Sequence, residues 1–120
     1  MDRADTRFIA IRDTLTKNSA DIDVRKLDER HCKQGRLGIG WHFLILTCGS
    51  IQLGRGIKTC GSHSINLDRI SVAAGIVGGL DDEGSKAFTR NDAQQASLTD
   101  LIAFLQSRYP DAEVNDRPVP

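Results

Sequence analysis

Three short stretches of this chain carry most of its side-chain chemistry: Arg12-Asp13, Gly40-Trp41-His42-Phe43 and Gly61-Ser62-His63. An imidazole can ligate a metal or move a proton near neutral pH. His42 and His63, brought to one cleft, could hold a metal weakly. A catalytic zinc site, however, takes three protein ligands and a water. The same two rings could instead satisfy polar groups along a shallow cleft. Arg12 is a fixed positive charge and no metal ligand. It could bind an anion or an acidic partner group, or pair with Asp13 or another carboxylate, and the structural pairing is the plainer expectation. Trp41 could anchor a partner if exposed, or pack half-buried at a strand start. Cys32, Cys48 and Cys60 form no CxxC pair, and their odd number argues against a disulfide framework. Free thiols in a reducing compartment are expected.

These residues need elements to hold them. Arg7 to Arg12 reads as a strand around the apolar run Phe8-Ile9-Ala10-Ile11. Thr16 to Asp21 has loop character. Asp23 can cap a helix running to about Lys33, with Val24, Leu27 and His31 on one face and Gly35 ending it. His42 to Thr47 is a second strand, joined through Cys48-Gly49 to a hairpin partner at Ile51 to Leu53. Arg69 to Val77 is nearly all apolar beyond Ser71, the pattern of a central strand buried on both faces. Gly78 to Lys86 reads as a surface loop, with Asp81, Asp82 and Glu83 solvated. Thr89, with Asp92 three residues on, reads as a capping box opening a last helix. Leu98, Leu101, Ile102 and Leu105 recur at helical spacing, and Pro110 ends the helix. The tail 115–120 is expected to fray. The fold class is therefore α/β, a mixed central β-sheet flanked by helices, in a single domain over residues 1–120.

The 120 residues suit one compact core. Lys+Arg and Asp+Glu number 16 each, so no general attraction to nucleic acid or an anionic membrane is expected. No apolar run approaches the roughly 18–20 residues that span a bilayer. Met1 to Arg7 is charged, with no apolar stretch behind it fit for a signal peptide. A cytoplasmic location in a host bacterium is the expectation.

The order Gln34-Gly35, Leu37, Gly40-Trp41-His42-Phe43, Gly54-Arg55, Gly61-Ser62-His63, Arg69-Ile70-Ser71-Val72, Val77-Gly78-Gly79 and Phe88-Thr89 leading into Ala93-Gln94 resembles the zinc-dependent N-acetylmuramoyl-L-alanine amidases. That group includes small phage lysozymes and peptidoglycan recognition proteins. The resemblance runs from Phe8 to about Val114. It implies a zinc held by a His leaving the first strand, a second His beyond the last helix, and a Cys, Asp or His soon after. The zinc-bound water would attack the amide between muramic acid and L-alanine, with a Tyr and a Lys stabilising the oxyanion. The positions so implied carry other residues. Counting back from His42, the first ligand falls on Arg12, and Asp13 beside it should point to the opposite face of the strand. Trp41 stands at the Tyr position. The second His is implied within a few residues of Val114, where the chain reads Asn115-Asp116-Arg117, and the region implied for the third ligand and the Lys lies past Pro120.

The expectation is thus a degenerate member of the group with no catalytic residues and no zinc, whose binding cleft is lined by Arg12, Trp41, His42 and His63. The favoured function is binding, and inhibition, of a host protein such as a polymerase or an antiviral immune complex, since phage lysozymes of this group can inhibit an RNA polymerase. One alternative is an active amidase with rearranged ligands. The other is a module that binds muropeptide without cutting it.

Overall fold

The structure, a computed structural model, describes residues 3–17, 22–23, 25–27, 40–61 and 68–120. Its centre is a five-stranded sheet. In chain order the strands are β1 (Phe8–Asp13), β2 (Thr16–Lys17), β3 (Phe43–Ile45), β4 (Ile51–Leu53), β5 (Ser71–Ile76), β6 (Gly79–Leu80) and β7 (Glu113–Asp116). The large sheet runs β4-β3-β5-β1-β7, and β2 and β6 form a small separate pair. β3, β5, β1 and β7 run parallel to one another, while β4 is an edge strand antiparallel to β3.

β5 lies in the middle and is buried along its whole length, as its apolar sequence predicts. Alternation along the strands sends two sets of side chains to two cores. Ile9, Ile11, Val72, Ala74 and Ile76 face a helix, α1 (Asp92–Arg108), which lays Leu98, Leu101 and Leu105 against them. Ala10, Ala73 and Val77 face the other way, toward Trp41, Leu44, Ile22 and Leu27. Burying each of these large apolar side chains contributes about 1.5–3 kcal/mol.

Several expectations need correction. α1 opens two residues later than the Thr89 reading. Its cap is Asn91, whose side chain accepts from the Gln94 backbone N–H at 2.8 Å, while the Gln94 side chain accepts from the Asn91 backbone N–H at 3.2 Å. Thr89 is otherwise engaged, its Oγ1 accepting from the Gly79 N–H at 2.8 Å. The tail from Asn115 does not fray at its start. Residues 113–116 add to β1 as β7, in the register Phe8↔Glu113 to Ile11↔Asp116. Thr16–Lys17 and Gly79–Leu80, read as loop, pair as β2 and β6. Of the helix expected from Asp23 to Lys33, residues 25–27 are helical, with the Lys26 N–H donating to Asp23 Oδ1 at 2.9 Å. Val24, His31 and the remainder lie outside the described residues.

Candidate functional site

In parallel sheets, ligands gather beyond the carboxyl ends of the strands. β1 ends there in Arg12-Asp13, and β7 lies beside it with Asn115-Asp116. The pleat sends Arg12 and Asp13 to opposite faces, and two separate polar clusters result.

On the helix side, Asp13 and Asp116 converge on Arg90, just ahead of the α1 cap. Arg90 Nε donates to Asp13 Oδ1, and its Nη1 and Nη2 each donate to one Asp116 oxygen, all at 3.0 Å. The side chains of Arg90 and Asp13 are each only 3% exposed. Burial works against the Arg90 charge, but the hydrogen bonds to Asp116 and Asp13 outweigh it and hold the guanidinium above its ordinary value. The second Asp13 oxygen also accepts from the Val119 N–H at 2.9 Å. Asp13 is thereby saturated and faces away from Arg12.

On the other face, Arg12 meets no carboxylate among the described residues. Its Nη1 donates to the Ile11 and Asn115 carbonyls and its Nη2 to Asn115 Oδ1, each at 2.7 Å. The expected pairing with Asp13 is therefore corrected: Asp13 and Asp116, at this end of the sheet, are taken by Arg90. Burial lowers the Arg12 pKa, nearby Arg117 lowers it further, and Asp116 opposes the change.

The other residues expected in the cleft are placed differently. Trp41 is 7% exposed, so it is buried rather than half-buried, and its ring covers Gly75. Gly75 is the β5 partner of Arg12, and a Cβ there would lie 2.9 Å from Trp41 Cδ2. His42 is 1% exposed. Its Nδ1 accepts from the Ala73 N–H at 3.0 Å, so the ring proton sits on Nε2 and is donated to the Thr59 carbonyl at 2.6 Å. Burial pushes the His42 pKa below its ordinary 6.5, with the Thr59 bond opposing. Both ring nitrogens thus tie backbone to backbone, so His42 is a structural staple that also borders a groove beside β3. His63 lies outside the described residues.

Two grooves are lined by described residues. One, of about 910 Å³, opens at the far end of the sheet between Arg3, Arg7, Lys58, Arg108 and Tyr109, with Asp5, Asp111 and Glu113 interspersed. The other, of about 410 Å³, is apolar and runs along Phe43, Leu53, Ile57 and Phe104. Neither had a sequence signal, because each is assembled from residues far apart in the chain.

The zinc that the resemblance implies does not fit the residues at this position. Arg12 is a permanent cation, the Asn115 amide oxygen already accepts from it, and Asp13 and Asp116 neutralise Arg90. Among the described residues no group of three His, Cys, Asp or Glu side chains could hold a metal ion.

No family model matches the chain. The endolysin of Enterobacteria phage T3 is 35% identical over 107 residues, covering 89% of this chain and 71% of that protein. Among solved structures, the endolysin N-acetylmuramoyl-L-alanine amidase of Clostridium intestinale superposes with a TM-score of 0.77 at 25% identity, over 93% of this chain and 69% of that one. Peptidoglycan recognition protein LE, solved in complex with tracheal cytotoxin, a monomeric diaminopimelic acid-type peptidoglycan, shares the fold with a TM-score of 0.76 at 21% identity, over 92% of this chain and 68% of that one. The mixed sheet, the Gly40-to-Phe43 strand entry and these relatives agree. The chain belongs to the phage endolysin family, within the fold shared by N-acetylmuramoyl-L-alanine amidases and peptidoglycan recognition proteins.

Proposed function

We propose that this protein is directed at peptidoglycan and binds muropeptide without hydrolysing it by the family's zinc route. The observation that carries the reading is Arg12, whose guanidinium holds the end of β1 where the first metal ligand is implied. A cation anchored by three hydrogen bonds repels a dication and donates where a metal would need an acceptor. The peptidoglycan part of the reading draws support from the endolysin relative and from the recognition protein solved with a peptidoglycan fragment.

A second reading, hydrolysis of the muramoyl amide with a rearranged ligand set, is favoured by the 35% identity to an endolysin. Inhibition of a host protein rests on the sequence resemblance alone and gains nothing further from the comparisons.

Three measurements on one preparation separate these readings: zinc content, clearing of a cell-wall suspension, and calorimetry with a muramyl peptide. The expected result is a metal-poor protein that binds the peptide and leaves walls intact. About one zinc per chain together with wall clearing establishes hydrolysis instead. Absence of both clearing and peptide binding overturns the peptidoglycan assignment.

A further inference from the structure

Arg12 has donors to spare. Its Nη1 hydrogens go to the Ile11 and Asn115 carbonyls, and one Nη2 hydrogen goes to Asn115 Oδ1. That leaves Nε–H and the second Nη2 hydrogen, on one edge of the planar guanidinium, without a partner among the described residues. This edge is the fork that receives a carboxylate in two parallel hydrogen bonds.

The fork is held in place. The opposite edge grips one residue, Asn115, through both its backbone and its side-chain oxygen, which fixes the plane of the guanidinium. A second cation stands beside it. The Arg117 N–H reaches the Ile11 carbonyl at 3.4 Å, continuing the β1–β7 ladder past Ile11↔Asp116, so Arg117 is next to Arg12 in register. Arg117 is exposed. The described acid that acts on Arg12, Asp116, is turned to the other face of the sheet and bound in two hydrogen bonds to Arg90. Two adjacent guanidiniums with no acid between them among the described residues repel each other, and an anion seated between them relieves that repulsion.

We propose that the Arg12–Arg117 pair is a carboxylate-binding site. Resting on the peptidoglycan reading above, the occupant is a free carboxylate of a wall fragment, such as the lactyl carboxylate of muramic acid. The chemistry gives a direction of preference. An intact muramoyl amide is neutral and offers the fork one carbonyl oxygen, whereas a fragment whose lactyl group is free offers two oxygens and a full charge. The site therefore favours fragments whose lactyl carboxylate is free over those in which it is amidated.

The test is NMR titration of the whole chain with N-acetylmuramic acid, its lactyl amide, N-acetylglucosamine and, as a bare carboxylate, acetate. The expected result is saturable binding of N-acetylmuramic acid, at least tenfold tighter than its amide, and loss of that preference in Arg12→Gln. Arg117→Gln, which alters an exposed residue and leaves the fold undisturbed, should weaken binding of the acid by several-fold and leave the amide unaffected. Acetate should shift the Arg12 Nε–H resonance in the wild type. Equal binding of acid and amide, unchanged in both variants, overturns the carboxylate site while leaving the peptidoglycan reading intact. An acetate response at Arg12 without binding of any sugar keeps the site and removes its proposed occupant.

Discussion

Two guanidiniums stand at the same end of one sheet, on opposite faces, and the fold treats them in opposite ways. The Arg90 side chain is sealed between two carboxylates and is 3% exposed. Arg12 is partly open and, among the described residues, held only by carbonyl and amide oxygens. The first arrangement is structural, because it ties the ends of β1 and β7 to the start of α1. In the second, the described residues satisfy one edge of the group and leave a charge and two donors without a partner among them. A buried ion pair is costly to assemble and more costly to break, whereas a half-satisfied cation at a surface is inexpensive to keep and free to bind. The strand pleat alone separates the two roles, since Arg12 and Asp13 are neighbours in sequence.

The largest expected effect comes from breaking the sealed side. Arg90→Gln strands an Asp13 carboxylate whose side chain is nearly buried, with the Val119 N–H as its remaining donor among the described residues. Loss of one member of a buried pair costs about 3–5 kcal/mol. Asp116 is 30% exposed and can recover water, which places the expectation at the lower end, about 3 kcal/mol. A urea unfolding curve reads it directly. If Arg12→Gln destabilised the protein as much as Arg90→Gln, the contrast between the two faces would be void.

The next effect tests the roof over the open side. A Cβ at Gly75 would lie 2.9 Å from Trp41 Cδ2 and 3.1 Å from Cγ, and a buried indole has little room to retreat. Gly75→Ala should cost about 1–3 kcal/mol, as overpacking does, and shift Trp41 fluorescence. An unchanged spectrum with unchanged stability would show that the indole does not lie on β5.

Arg12→Gln belongs third. The Ile11 and Asn115 carbonyls it leaves behind lie at the open strand end, where water can replace the guanidinium. The expected loss is about 1 kcal/mol. A much larger loss would mean that Arg12 is chiefly a clamp on β7.

The strands were legible because burial writes itself into residue type. β5 is apolar beyond Ser71, Phe8 to Ile11 is bounded by Arg7 and Arg12, and Phe43 to Leu46 lies between His42 and Thr47. The stripe Leu98, Leu101, Leu105 likewise announces the buried face of α1. β7 was hidden because Glu113-Val114-Asn115-Asp116 carries almost no apolar signal; it is held by its ladder to β1 and by two arginines distant in sequence. Arg12 and Trp41 could be singled out from their positions in the motif, and the opposite facing of Asp13 follows from strand geometry. Nothing local could show that Asp13 would find Arg90, or that His42, beside a tryptophan at a strand entry, would spend both nitrogens on backbone. Such pairings are settled by tertiary contact, to which local residue patterns are blind.

His42 gives the smallest effect and extends the contrast to a group from which the fold withholds charge. Its Nδ1 accepts the Ala73 N–H, so a proton placed there would set donor against donor at 3.0 Å. Burial, the larger influence, disfavours the imidazolium as well, and the folded-state pKa lies below the ordinary 6.5. The unfolded chain, with an ordinary histidine, then binds more protons than the native protein once the pH falls below about 6.5, and stability declines with pH from there until the depressed native pKa is reached. Above that window His42 is neutral in both states and contributes no slope. Unfolding midpoints measured between pH 7.5 and pH 5 should fall in the wild type, with the His42 share of the slope missing in His42→Gln. Arg12 and Arg90 do not titrate in this range, so the difference between the two profiles isolates the imidazole. Parallel profiles would mean that His42 accepts a proton in the folded state at little cost, and that the Ala73 bond is not what holds it neutral.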